Sequence, residues 1–236
     1  MTPTTARNDL SRSEAPAGQA RPQTRPETPD HDARPGDAFL ALARMPARAL
    51  EDVLLRGQAP DLASLVGWEF RGLNTPPWAR LLGIRKFIKG FYGPAGGAQP
   101  ATTPAAIRGY NCAVVQNPVE EPWIGRPDPA RPDRFGYFHV AAVDPTARDN
   151  AYLHAVLLDY GRDGNASLDP TRGLRDYLVQ ADPAQPDLFL GKAYYALGPA
   201  RLGVSFFVLE RYRRAHEICP ATGQDPTPGT SLHASA

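Results

Sequence analysis

The residues of this sequence best suited to chemistry are imidazoles and phenols set in alternating, strand-like runs. In residues 134–143, alternation puts Phe135, Tyr137, His139 and Ala141 on one face. In residues 150–160 it does the same for Tyr152, His154, Val156, Leu158 and Tyr160. If His139 and His154 both point inward from neighbouring strands, two imidazoles inside an apolar enclosure could hold a polar head group, a metal or a haem edge. The alternative is that one faces solvent and the other hydrogen-bonds to a tyrosine. His139, His154 and Tyr194 are also the candidate acid–base groups of an enzyme that carries no linear motif, such as an isomerase or cyclase. That reading needs at least two of them in one cavity.

Other chemical candidates weaken on inspection. Lys192 and Glu210 could pair across adjacent strands, which at a surface contributes little. Inside a barrel the same pair would be an acid–base candidate. The turn Asp159-Tyr160-Gly161-Arg162-Asp163-Gly164-Asn165 lacks the spacing and closing Glu of a calcium loop and reads as a polar turn. Five histidines show no metal-ligand spacing, so neither a metal nor a cofactor is expected. Of two cysteines, Cys112 lies in a strand-like run and reads as a small buried apolar residue, while Cys219 falls near the C-terminus. GxSxG, P-loop, GxGxxG and CxxC motifs are absent, which removes the common hydrolases, nucleotide binders and redox proteins but not enzymes without such motifs.

The elements that must position these residues are mostly strands. Apolar runs bounded by Pro, Gly and Asp clusters predict strands at residues 66–72, 84–92, 107–116, 134–143, 150–160, 174–180, 188–197 and 202–212. The connections are too short for parallel crossovers, so the sheet should be antiparallel. Eight such strands close into a barrel whose interior holds side chains or one small ligand. The expected fold is therefore mainly β, an eight-stranded antiparallel barrel with one or two N-terminal helices. Helix is expected from Asp37 to near Gly57; Met45-Pro46 interrupts it, which leaves one helix or two, at residues 39–44 and 46–56, equally open. Residues 78–92 read two ways. Leu81, Ile84, Ile88 and Phe91 fit a helix with Arg80, Arg85 and Lys89 elsewhere on the wheel, which would make a basic amphipathic helix for a membrane surface. Alternatively a short helix at 78–82 stops at Gly83 and a strand follows.

Composition sets the outer limits. Residues 1–36 and 217–236 are rich in Pro, Gly and polar residues and should form a disordered arm and tail around one domain at 37–216. That leaves about 180 residues, enough for a real core. The net charge of +1, with acids and bases interspersed, gives no basic stripe for nucleic acid. No run reaches the length of a signal peptide or a membrane span, so the default expectation is a cytoplasmic protein.

A resemblance narrows this further. Gly67-Trp68-Glu69-Phe70-Arg71-Gly72, Asn74-Thr75 and Leu81-Leu82-Gly83-Ile84-Arg85-Lys86-Phe87 resemble the GxWxG family of small lipocalin-like proteins, except that Trp here directly follows the first Gly. The segments Ala155-Val156-Leu157-Leu158-Asp159-Tyr160, Asp176-Tyr177, Leu190-Gly191 and Phe206-Phe207-Val208-Leu209-Glu210-Arg211 resemble the domain that accompanies it. The resemblance implies a lipocalin-like barrel and no established activity. In such barrels the Gly-Trp pair plugs one end and an Arg of the last strand covers the indole. That implies a structural floor of Gly67, Trp68 and Arg211, or Arg213 in its place. Together with the aromatic strand faces, these readings predict a small apolar or amphipathic ligand bound by Tyr110, Tyr137, His139, Tyr152, His154, Tyr194 and Phe207.

Overall fold

Pro46 cannot continue the first helix and disfavours helical backbone at Met45, so the N-terminal apolar stretch folds as two helices. In the computed structural model they are α1 (Asp37–Ala43) and α2 (Ala47–Arg56), with Pro46 as the N-cap of the second and Gly57 closing it. The described residues are 1, 34–93, 107–129, 131–162, 165–198 and 200–215. Most of the expected arm and all of the expected tail lie outside them, as do Cys219 and part of the Asp159–Asn165 turn. Two further single-turn helices are α3 (Leu62–Leu65), capped by the Asp61 carboxylate, and α4 (Pro77–Leu81).

The ambiguous stretch resolves in favour of the broken reading. Helix α4 stops at Gly83, whose φ of +66° suits a residue without Cβ, and β2 (Lys86–Tyr92) begins three residues later. A continuous basic helix over residues 78–92 does not form. The other strands are β1 (Trp68–Asn74), β3 (Arg108–Ala113), β4 (Arg134–Ala142), β5 (Val156–Asp159), β6 (Leu174–Gln180), β7 (Leu188–Leu197) and β8 (Ala200–Arg214). Each pairs antiparallel with its sequence neighbour, and β8 returns to β1 from Trp68↔Arg214 to Asn74↔Phe207. The eight-stranded antiparallel barrel expected from the sequence is thus closed, with no free edge. Strand β5 is shorter than expected, because residues 150–155 leave the ladder and pack outside the barrel.

Alternation along the strands separates two apolar clusters. The outer one, containing Leu73, Ile88, Tyr110, Val179, Leu190 and Val208, packs under α1, α2 and Trp123 of the β3–β4 loop. Helix α1 lies on β8 and α2 on β7. The inner one fills the lower barrel with Phe70, Phe91, Phe138 and Phe189, whose rings meet edge to face at 5.4–5.5 Å between centroids. Below them Trp68 closes the end. Its ring is flanked by the guanidinium of Arg214 at 3.8 Å and that of Arg211 at 4.4 Å, while Gly67 takes a φ of +78°. Arg213 turns instead to the outer face and donates to Glu69 at 2.6 Å.

Strand β4 changes phase at Gly136. Asn111 faces Phe135 and Gly109 faces Phe138, so two residues of β3 span three of β4, and Gly136 takes a φ of +54°. Because of this bulge, Phe135 and Phe138 both face inward although their numbers differ by three. Tyr137 and His139 are thereby turned outward and do not share a face with Phe135.

Candidate functional site

Side-chain size decides where the barrel is empty. Above the phenylalanine layer the inward positions include Ala113, Ala193 and Ser205, too small to fill the lumen. They leave a cavity of about 360 Å³. Phe87, Leu174 and Phe207 line its walls, and Trp78, Ile84 and Phe135, each more than a third exposed, stand at its mouth. The Phe207 ring lies across Gly191, where an added Cβ would come within 2.0 Å of it, so only glycine lets the ring hold this place.

The cavity floor is polar. Lys89 of β2 and Asp176 of β6 project inward from opposite walls, and the Lys89 ammonium meets Asp176 Oδ2 at 3.1 Å. Lys89 Nζ also donates to Tyr160 Oη at 2.6 Å, and Tyr160 Oη donates to the same Asp176 oxygen at 2.9 Å. Asn111 Nδ2 donates to Tyr160 Oη at 3.4 Å and to the Gly136 carbonyl at 3.0 Å, tying the cluster to the β4 bulge. All four residues are buried, with Lys89 only 2 % exposed. Around Nζ lie the rings of Phe138 at 4.6 Å, Phe207 and Tyr160 at 5.2 Å and Phe87 at 5.8 Å.

Burial is the main electrostatic force on this cluster. It lowers the Lys89 pKa below the ordinary lysine value, against the pull of the Asp176 charge and hydrogen bond. Burial also pushes the Tyr160 phenol well above its ordinary value, and Asp176 adds to that. Tyr160 therefore stays protonated as a donor to Asp176.

Of the residues singled out from the sequence for ligand contact, Phe207 lines this cavity and the rest stand elsewhere. Tyr110 lies in the outer cluster, donating to Glu69 Oε1 at 2.8 Å with Arg134 over its ring at 4.3 Å. Tyr137 and His139 are half-buried on the outer side of β4. Tyr152, Tyr177 and Tyr194 form an aromatic group at the base of α2, with centroid spacings of 4.9 and 5.6 Å. His154 Nε2 donates to the Leu54 carbonyl at 2.9 Å, which joins the β4–β5 loop to α2. His139, His154 and Tyr194 do not meet in the cavity, so the acid–base arrangement built on them has no geometry to work with. Lys192 and Glu210 do not meet either. Lys192 Nζ binds Glu51 of α2 at 2.6 Å, and Glu210 pairs with Arg71 at 3.4 Å. Cys112 is buried, its thiol pushed up to about 12 chiefly by burial, consistent with an inert packing role.

Lys89, Asp176, Tyr160 and Asn111 were missed as a site, although the sequence holds a signal. Only three of the 26 basic residues are lysine, and Lys89 sits between Phe87 and Phe91 on the same strand face. The other two are also engaged. Lys86 is caged by Asn117 and the carbonyls of Pro118, Glu121 and Pro122 under the Trp123 ring, and Lys192 is held by Glu51 and Tyr152. Among the described residues no group of three or more His, Cys, Asp or Glu is placed to hold a metal, and no helix is long and apolar enough to cross a membrane. Comparison with known proteins returns nothing: no family model, no curated protein and no solved structure matches this chain.

Proposed function

We propose that this protein binds a small amphipathic molecule in the upper half of its barrel, with the apolar body against Phe87, Leu174 and Phe207 and the polar head on the Lys89–Asp176–Tyr160 cluster. An eight-stranded barrel is compatible with such a role. The observation that carries the reading is the cavity itself, about 360 Å³ of unfilled, mostly apolar space ending on a buried polar cluster. Its volume falls in the range of about 300–1,000 Å³ typical of small-molecule sites.

The contrast within the barrel supports this. The lower half is packed with phenylalanines, and an ion pair in the upper half costs more desolvation than apolar packing of the same volume. A barrel that needed only filling would not place Lys89 and Asp176 there. Since the pair is neutral as a unit, the head group it suits is uncharged and rich in lone pairs, a carbonyl or hydroxyl, not a bare carboxylate that would face Asp176.

Native mass spectrometry of the purified chain, together with displacement of a solvatochromic naphthalene dye by 1-decanol, tests the proposal. A co-purifying small molecule or saturable displacement is the expected result. Failure of both, with the chain folded, overturns it.

A further inference from the structure

We propose that Lys89 is a reactive amine, and that the ligands this cavity takes include apolar aldehydes or ketones held as an imine on its Nζ. The inference rests on the binding proposed above and names the head group. Three geometric features carry it. Lys89 Nζ lies on the cavity floor, so a chain entering from the mouth between Trp78 and Phe135 meets it head first. Asp176 Oδ2 is 3.1 Å from the nitrogen and can take its proton. Tyr160 Oη bridges nitrogen and carboxylate at 2.6 and 2.9 Å and can pass that proton to the carbonyl oxygen.

The step balances without any further reactant. The Lys89 ammonium gives one proton to Asp176, and the free amine attacks the carbonyl carbon, forming the C–N bond while the π pair moves to oxygen. That oxygen takes the proton back from Asp176 through Tyr160. The resulting carbinolamine then moves a second proton from nitrogen to the hydroxyl. The C–O bond breaks, water leaves, and the nitrogen lone pair closes a protonated imine. Both hydrogens of the water come from the original ammonium. The charge pattern is the same at start and end, one cation at the Lys89 nitrogen beside one Asp176 carboxylate, so the site needs no electrostatic rearrangement. Burial lowers the amine's proton affinity, and with the apolar walls it favours the nucleophilic form.

The other lysines serve as internal controls. Lys86 Nζ has its protons committed to a cage of four oxygens beneath Trp123, and Lys192 is bound to Glu51 and Tyr152 outside the barrel. The test is to incubate the full chain with decanal, reduce with borohydride and map the adduct by peptide mass spectrometry, with and without excess 1-decanol, which fits the cavity but forms no imine. The expected result is a single decyl group on Lys89, suppressed by decanol and absent from the Lys89→Arg variant. No adduct, or decyl groups spread over Lys86, Lys192 and the terminal amine, overturns the imine. If decanol still displaces the naphthalene dye in that case, the binding proposal stands without it. If decanol displaces nothing, the binding proposal fails and the imine with it.

Discussion

Lys89 and Asp176 join strands four apart in either direction round an eight-strand ring, so their 3.1 Å contact is a crossbar through the middle of the barrel. Below it the lumen is filled with aromatic rings; above it lies the cavity. Breaking such a pair leaves one buried charge uncompensated, whereas replacing both partners by apolar groups removes the desolvation cost along with the attraction. Lys89→Met and Asp176→Leu should each destabilise the fold by about 3–5 kcal/mol, and the double variant should return close to the parent. Urea unfolding of the four proteins measures this. Additive losses in the double variant would show that the two residues contribute independently and are not a crossbar.

The emptiness of the upper barrel rests on Ala193, Ser205 and Ala113, which face the lumen beside Phe207. Ala193→Leu projects a larger side chain into this space without touching the polar floor. Stability should hold or rise by about 0.5–2 kcal/mol, as for other cavity-filling changes, while displacement of the naphthalene dye by decanol is lost. Thermal unfolding and the displacement titration, made on the same sample, read the two effects. Unchanged displacement places the dye somewhere other than this cavity.

Strand number and antiparallel order were legible because each strand is an alternating apolar run closed by Pro, Gly or Asp, and local pattern suffices for that. Which face of each strand turns inward was harder. Gly136 inserts an extra residue into β4, and a one-residue slip moves every later side chain to the other face. The aromatic face assigned to Phe135, Tyr137 and His139 was broken at that point. A second source of error was α2. Tyr152, His154 and Tyr194 look like the lining of a lumen, yet they are covered, Tyr194 fully and the other two in part, because a helix packs on the outside of the barrel. Burial on two sides of a sheet leaves apolar residues on both faces, and alternation alone cannot say which side encloses the cavity. The sequence offers Lys89 only as one of the basic residues of a possible amphipathic helix, not as a buried group. Its partner is 87 residues away, and nothing local announces the pair.

Helix α2 is tied to the barrel by Glu51, Lys192 and Tyr152, and the tie should depend on pH at both ends of the scale. Burial alone would raise the Glu51 carboxyl, but hydrogen bonds from Lys192 and Tyr152 outweigh it and the net shift is downward. For Lys192 burial pulls downward and the bonds to Glu51 and Tyr152 win, so its net shift is upward. A depressed carboxyl contributes stability above its unfolded value of about 4.3 and loses it as pH falls through the folded value; a raised amine contributes below about 10.4 and loses it as pH rises through the folded value. The margin of the parent over a Glu51→Gln, Lys192→Met variant should be flat between those limits and shrink outside them. Because both groups are partly solvated, the margin will be modest and will fall with added salt. Thermal unfolding across pH tests the shape. A margin that grows toward either extreme is incompatible with this pairing.

At the closed end, Trp68 lies between two guanidinium groups of the same strand. Arg214 approaches at 3.8 Å from an exposed position, and Arg211, at 4.4 Å, is also held by Asp187 at 2.5 Å. A cation over an indole is worth about 0.5–1 kcal/mol at an exposed site and about 2 where desolvated. Arg211→Ala should therefore cost more than Arg214→Ala, because its side chain is better shielded and loses the Asp187 contact as well. In a Trp68→Leu background the Arg214 cost should vanish, and the Arg211 cost should shrink to what Asp187 and the Phe70 ring, 5.6 Å from its guanidinium, still supply, about 1 kcal/mol or less. Double-mutant cycles by urea unfolding, with Trp fluorescence reporting solvent entry at this end, give the coupling directly. Arginine costs that survive intact in the leucine background would mean that the two side chains stabilise β8 on their own and that Trp68 plugs the barrel by bulk alone.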